Sequence, residues 1–339
     1  MPNMKKEALL YTKLKRNDVQ CILCGHRCKI SDRKFGFCGV RQNIAGTLYT
    51  HIYGEIIASH IDPIEKKPLY HFLPGSQSFS IAAPGCNFRC GFCQNWQISQ
   101  LKAGSGTFPG GRFFPAVDTV TAALSQKCAS VSYTYTEPTI NFEYCLDVSK
   151  LAKAKGLRNV WVTNGFMTLE ALTMVQPYMD AANVDLKFFN NGSYKNICAG
   201  GLKPVQESIK FMRANNIWVE ITTLVVPGKN DSEAELEQIS KFIAGVDANI
   251  PWHISKFFPN YQYSAYDPTP EGSLRKAFEI GRKSGLRFIY AGNVSGWGGD
   301  TYCPFRKKLL VKREGLTILE VNLDHGRCKF CQAQIPGVY

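Results

Sequence analysis

What this chain lacks narrows the field before any motif is read. It has no apolar run long enough to span a bilayer, which excludes a helical membrane protein. Its first twenty residues are rich in lysine and hold no apolar stretch, so no secretory leader is read there and the expected location is the cytoplasm. There is no low-complexity segment, no long Lys/Arg run and no aromatic–basic repeat of an RNA module. Nucleic acid therefore stays an open but unfavoured partner. Acidic residues are outnumbered, 27 Asp and Glu against 40 Lys and Arg, for a net charge of +13. That balance admits an acidic partner or a merely basic surface.

Cysteine, by contrast, is abundant. Thirteen cysteines in a chain without a leader argue for bound metal over disulfides, and the odd count disfavours full pairing. A length of 339 residues, 45% of them hydrophobic, suffices for one large domain with small appendages. Residues 1–50 read as a cysteine-rich metal-binding segment and 51–77 as a link with a charged centre, Asp62 to His71. Residues 78–297 read as the main domain and 298–339 as a degenerate zinc-ribbon-like tail.

Within the main domain, β-branched and aromatic runs at 79–83, 129–134, 158–163, 182–187, 218–226, 252–257 and 287–291 read as strands. Helix-period segments lie between most of them, at 141–155, 169–178, 205–215, 233–245 and 271–284. Regular alternation predicts an α/β fold, a partial or full (β/α) TIM-like barrel whose working face is the carboxyl end of the strands. The polar motifs fall at those ends, which points to one shared site.

The most telling motif follows the first strand: Cys86, Cys90 and Cys93, spaced by three and then two residues. A structural zinc wants four closed ligands. Three thiolates on a four-iron cluster leave one iron without a protein ligand, where a small molecule can bind and be reduced. The bland alternative is a metal knot or a set of buried thiols, but glycines flank these cysteines and a core fits them poorly. The spacing resembles that of the radical S-adenosylmethionine (radical SAM) enzymes. The resemblance implies a [4Fe–4S] cluster that reductively cleaves S-adenosylmethionine (SAM) to a 5′-deoxyadenosyl radical, which abstracts hydrogen from a substrate. Hard chemistry of this kind is left to the cofactor, and the protein supplies position and shelter.

Other residues at the strand ends carry paired readings. Glu137 lies where the superfamily binds the SAM amino group, a favourable charge-assisted contact; its neighbours Thr136, Pro138 and Thr139 also read as a helix start. Asp185 and Lys187 alternate along one strand and share a face, as a cofactor-facing pair or a buried structural one. Asn164 suits a ribose or carboxylate contact, or an ordinary turn. His253 suits an adenine or ribose contact, or is simply a satisfied polar side chain. A second cysteine set, Cys21, Cys24, Cys28 and Cys38, fits zinc or a second iron–sulfur cluster, with His26 as an alternative ligand. A third, Cys303, Cys328 and Cys331, reads as a zinc ribbon with one member missing. Arg306 stands where the fourth thiol belongs, and His325 is a conceivable substitute.

Over most of its length the chain closely resembles the AmmeMemoRadiSam family, a radical SAM branch near the glycyl-radical-enzyme activases. The match includes the opening Cys-x-x-Cys-Gly-His-Arg-Cys, the 62–71 segment, the 86–99 loop, 135–144, 185–187, 222–231, 251–259 and the 328–339 tail. It implies Cys86, Cys90 and Cys93 as cluster ligands, and Glu137, Asn164, Asp185 and Lys187 as SAM contacts, with His253 matching by motif position alone. It implies an electron donor such as flavodoxin or ferredoxin and partners of AMMECR and Memo type. The substrate is unidentified: a partner protein as in glycyl-radical activation, or RNA, a peptide or a small metabolite. Two departures stand out. Val162 replaces an aspartate with which similar activases hold a monovalent cation, and Arg306 interrupts the terminal ribbon. No cobalamin-binding segment is evident. A reading from another class, a non-catalytic zinc-rich module that grips nucleic acid or protein, predicts zinc without sulfide and no SAM cleavage.

Overall fold

The computed structural model describes residues 4–101 and 110–339; positions 1–3 of the opening segment and 102–109 of the main one lie outside the described residues. An eight-stranded sheet organises the chain. Its strands are β1 (Ala58–Pro63), β2 (Gln77–Ala82), β3 (Ser130–Tyr133), β4 (Arg158–Thr163), β5 (Ala181–Asp185), β6 (Trp218–Val225), β7 (Trp252–Lys256) and β8 (Ile289–Gly292). They lie side by side in sequence order. β2 to β8 run parallel, and β1 is antiparallel to β2 with Ala58 opposite Ala82. Six helices cover the sheet: α1 (Ala116–Ser125), α2 (Phe142–Ala154), α3 (Leu169–Val175), α4 (Leu202–Ala214), α5 (Glu233–Asp247) and α6 (Glu271–Lys283). β1 and β8 are the two edges and do not pair, so the barrel is partial rather than full.

Seven of the eight strands stand where the hydrophobic runs predict them. Parallel strands sheathed by helices are buried on both faces and read as near-continuous apolar runs. β1 escaped sequence reasoning because Ser-His-Ile-Asp-Pro carries no alternating pattern and ends on a proline, which an edge strand tolerates.

The rest of the 51–77 link fills the amino-terminal half of the barrel. Lys67, almost fully buried, bonds Asp62 at 2.6 Å, and the Tyr135 hydroxyl donates to the same carboxylate. Glu220 on β6 accepts from the backbone N–H of Tyr70 (3.0 Å) and His71 (2.8 Å), from Trp218 Nε1 (3.0 Å) and from His253 Nε2 (2.6 Å). His71 donates from Nδ1 to the Pro336 carbonyl (2.7 Å) and accepts at Nε2 from the Tyr290 hydroxyl (2.6 Å). It is therefore held neutral, and complete burial is the largest cause that pushes its pKa down to about 4.

That histidine gives the fold a pH dependence with a definite sign. Its folded value lies below the unfolded value of 6.5, so the unfolded chain takes the proton first as pH falls. The stabilisation is complete above pH 6.5 and is lost as pH falls toward 4. Denaturant unfolding should show wild type losing about 2 kcal/mol more than His71→Gln between pH 7 and pH 5. Equal losses in the two proteins would contradict this role.

The appendages are small antiparallel sheets. The opening segment forms two of three strands each. The tail forms a three-stranded sheet, Thr301–Tyr302, Leu309–Glu314 and Thr317–Val321, and a hairpin of Leu323–Asp324 with Arg327–Cys328. Its last residues return to the link through Val338 N and the His71 carbonyl at 2.7 Å.

Candidate functional site

At the carboxyl ends of the strands lies a cavity of about 290 Å³ with Cys86, Cys90 and Cys93 in one wall. Two larger cavities, about 370 and 810 Å³, lie against the C-terminal tail and hold no comparable thiol set of the barrel. Chemistry, not size, singles out the smaller one. The thiol loop leaves β2 through Gly85, whose φ of +99° and whose neighbour Ile140, 2.9 Å from where a Cβ would sit, leave no room for a side chain. Buried Phe88 and Phe92 pin the loop from inside, and Arg89 N bonds the Cys198 carbonyl at 2.7 Å.

Backbone and side-chain groups already address the sulfurs. Phe88 N lies 3.3 Å from Cys86 Sγ, and Ser99 Oγ lies 3.1 Å from Cys93 Sγ. Burial pushes the Cys86 and Cys93 thiols up, and the neighbouring Cys198 together with burial pushes up Cys90. Uncharged thiols are the resting state of such a pocket, so a metal that binds there must displace protons.

Opposite the thiols, Lys187 Nζ bonds Asp185 Oδ2 at 2.7 Å. Burial lowers the lysine's pKa, but the neighbouring Asp185 carboxylate opposes it, and the net direction is up. A fixed ammonium thus faces the thiol wall. Lys187 stands just past the end of β5, so the pair meets at the strand's exit and not along its length.

Glu137 and Asn164 reach the cavity but are also structural. Glu137 Oε1 accepts from Thr139 N (3.0 Å), Thr139 Oγ1 (2.6 Å) and Thr163 Oγ1 (2.7 Å), and Oε2 from Asn164 N (2.8 Å). It is itself the cap of the short 3₁₀ turn Pro138–Asn141, at the helix start read around Thr136, Pro138 and Thr139. Of its two oxygens Oε2 keeps the spare capacity. Asn164 Nδ2 donates to Asn87 Oδ1 at 2.7 Å and its Oδ1 accepts from Phe166 N at 2.9 Å. Val162 also lines the cavity, and its apolar side chain offers a cation nothing.

His253 is a correction. It sits at the start of β7, buried, and its Nε2 is committed to Glu220, with Tyr290 stacked on the ring at 5.2 Å. It clamps the link inside the barrel and does not line the cavity.

Sequence reasoning missed Asn87, Thr222, Ser255 and Cys198. Thr222 and Ser255 alternate inward along β6 and β7 and line the cavity; the period-2 rule could have found them. Asn87 follows Cys86 and is fully buried, yet its Nδ2 has no hydrogen-bond partner. Cys198 is brought in by a π-helical turn, Tyr194–Cys198, which no sequence pattern announces.

The N-terminal cysteine set packs directly on this wall. His26, between Cys24 and Cys28, donates from Nε2 to the Asn87 carbonyl at 2.7 Å. A carbonyl only accepts, so Nε2 carries the proton. Burial lowers the pKa of this imidazole, and its role here is that of a brace, not of a ligand through Nε2. Arg89 Nη2 returns the contact, donating to the Phe37 carbonyl at 2.6 Å, and Thr168 N bonds the Leu23 carbonyl at 3.2 Å. Within the set, Arg41 Nη1 lies 3.6 Å from Cys21 Sγ and Phe37 N lies 3.5 Å from Cys28 Sγ, and burial pushes Cys38 up to about 11. Cys303, Cys328 and Cys331 stand apart, in the tail.

Comparison with known proteins shows what the chain is similar to. A family model described as the radical SAM superfamily matches residues 80–243. An uncharacterized protein of Methanocaldococcus jannaschii is 40% identical over 337 residues, 98% of this chain and 99% of that one. The pyruvate formate-lyase-activating enzyme of Clostridium pasteurianum is 23% identical over 168 residues, 48% of this chain and 67% of that one. Among solved structures, a radical SAM methyltransferase from Sphaerobacter thermophilus shares the fold. Its TM-score is 0.54 and its identity 14%, covering 75% of each chain.

Proposed function

The chain belongs to the radical SAM superfamily and is an enzyme related to the glycyl-radical activating enzymes, and on that premise we propose that Cys86, Cys90 and Cys93 hold a [4Fe–4S] cluster with one iron open to SAM. The observation that carries this reading is the cavity itself, where three thiols without a fourth in the loop face the Asp185–Lys187 pair. The unpartnered, fully buried Asn87 Nδ2 supports the fit, since it is a donor that an inorganic sulfide, a thiolate or a carboxylate would satisfy. When bound, the cluster and SAM supply a one-electron cleavage that yields a 5′-deoxyadenosyl radical for hydrogen abstraction.

The protein's own part is position and shelter. Lys187 would meet the carboxylate of a bound SAM, with Asp185 holding the lysine ammonium in place. Glu137, through the spare capacity of Oε2, would take the SAM amino group, and Asn164 fixes the Asn87 side chain next to Cys86. Phe88, Phe92 and Leu224 line the cavity and would exclude water from it. The substrate is unidentified; hydrogen abstraction from a partner protein, as in glycyl-radical activation, is the variant that relatedness to the activating enzymes supports, and a flavodoxin- or ferredoxin-like donor would feed it. The N-terminal set, read as a site for zinc or a second cluster, braces the thiol loop through His26.

Electron paramagnetic resonance of the reduced, reconstituted protein tests this reading. SAM should change the cluster's spectrum, and Lys187→Met should raise the SAM concentration at half-change by roughly ten- to a hundredfold, the worth of one charge-assisted hydrogen bond. A spectrum indifferent to SAM would overturn the assignment of the open iron.

A further inference from the structure

We infer that the C-terminal tail holds a zinc ion on three thiolates, Cys303, Cys328 and Cys331, with its fourth coordination position open to solvent. Among the described residues these three bring their ligand atoms within 4.8 Å of one another. Cys303 Sγ and Cys331 Sγ lie 3.7 Å apart. Tetrahedral thiolates at a Zn–S distance of about 2.3 Å stand about 3.8 Å apart.

The backbone repeats one turn twice. Cys303 N bonds the Lys308 carbonyl at 2.8 Å and Lys307 N bonds the Cys303 carbonyl at 2.8 Å. Cys328 N bonds the Ala333 carbonyl at 3.0 Å and Gln332 N bonds the Cys328 carbonyl at 2.8 Å. The residue four after each cysteine is left-handed, Lys307 at φ 56° and Gln332 at φ 59°. Both turns are therefore metal knuckles of one shape. In the second, the position three after the first cysteine is Cys331; in the first, it is Arg306. Arg306 N still points at Cys303 Sγ, at 3.4 Å, as a knuckle requires.

Arg306 cannot complete the site, because a guanidinium has no lone pair to give. His325 does not replace it: its side chain is 98% exposed and its Nε2 faces Asp324. The fourth ligand is thus water, or a thiol or imidazole supplied from outside. Binding breaks three S–H bonds, forms three Zn–S bonds and releases three protons, with no change of oxidation state. The trithiolate carries a net negative charge, and Arg306, Lys307, Lys308, Arg327 and Lys329 surround it in sequence.

The full chain, prepared without iron and loaded with zinc alone, tests this by native mass spectrometry and by release to a colorimetric chelator. Cys331→Ala should hold one zinc fewer than wild type. Arg306→Cys should keep the wild-type zinc count and release that zinc roughly tenfold or more slowly, because the fourth vertex is closed. Equal zinc counts in wild type and Cys331→Ala would overturn the site. Release from Arg306→Cys at the wild-type rate would overturn the open vertex, and this arm stands even if Cys331→Ala folds poorly.

Discussion

Arg41→Ala should lower stability by about 3–5 kcal/mol and loosen the N-terminal cysteine-rich segment in the same step. Arg41 and Glu143 are 1% and 2% exposed and ion-paired, and they join the cysteine-rich segment to α2 of the barrel. Arg41 Nη1 also donates to the Leu9 carbonyl at 3.0 Å and to Cys21 Sγ. Removal leaves Glu143 buried with only Leu9 N, at 2.7 Å, to answer its charge. The pair is nonetheless imperfect, since Arg41 Nε and Glu143 Oε2 have no hydrogen-bond partner. A double substitution, Arg41→Leu with Glu143→Leu, should therefore recover much of the loss, as buried ion pairs often do when both charges go. Denaturant midpoints of the three proteins, with metal content beside them, check both claims. A double variant as unstable as Arg41→Ala would mean that packing, not the stranded carboxylate, sets the cost.

Cys93→Ala has the largest expected effect on function, the complete loss of SAM cleavage in a chain that still folds. Cys93 is only partly buried, and its Sγ lies 3.1 Å from the Ser99 hydroxyl. The loop keeps its anchors without it: Phe88, Phe92, the Arg89–Cys198 bond and the His26 brace. Two thiolates cannot hold a four-iron cluster of this kind, so iron and sulfide at this site should vanish while the far-ultraviolet dichroism stays that of wild type.

The parallel core was legible because its strands are buried on both faces and read as unbroken apolar runs between helix-period segments. The thiol loop was legible because its chemistry is local in sequence. What was not legible depends on tertiary closure. The link inside the barrel is held at Tyr70 and His71 by Glu220, some 150 residues away, and by Tyr290, while the charges that look solvent-facing in the sequence meet one another, as Lys67 does Asp62. His253 misled for a related reason: a histidine near a strand boundary looks like a site residue until folding commits its ring nitrogen to Glu220. Asn87 and Cys198 join the site through folding alone. The turn at Cys303 was legible because Arg306 stands where a knuckle would put its second thiol; the backbone pattern it shares with the turn at Cys328 was not.

The central claim is reductive SAM cleavage at the Cys86–Cys90–Cys93 cavity. Its most direct measurement is anaerobic: protein reconstituted with iron and sulfide, given SAM and dithionite, and assayed for 5′-deoxyadenosine beside Cys93→Ala. The account predicts release by wild type and none by the variant. Intact SAM with wild type, after its iron and sulfide content has been verified, or equal release by both proteins, would contradict it.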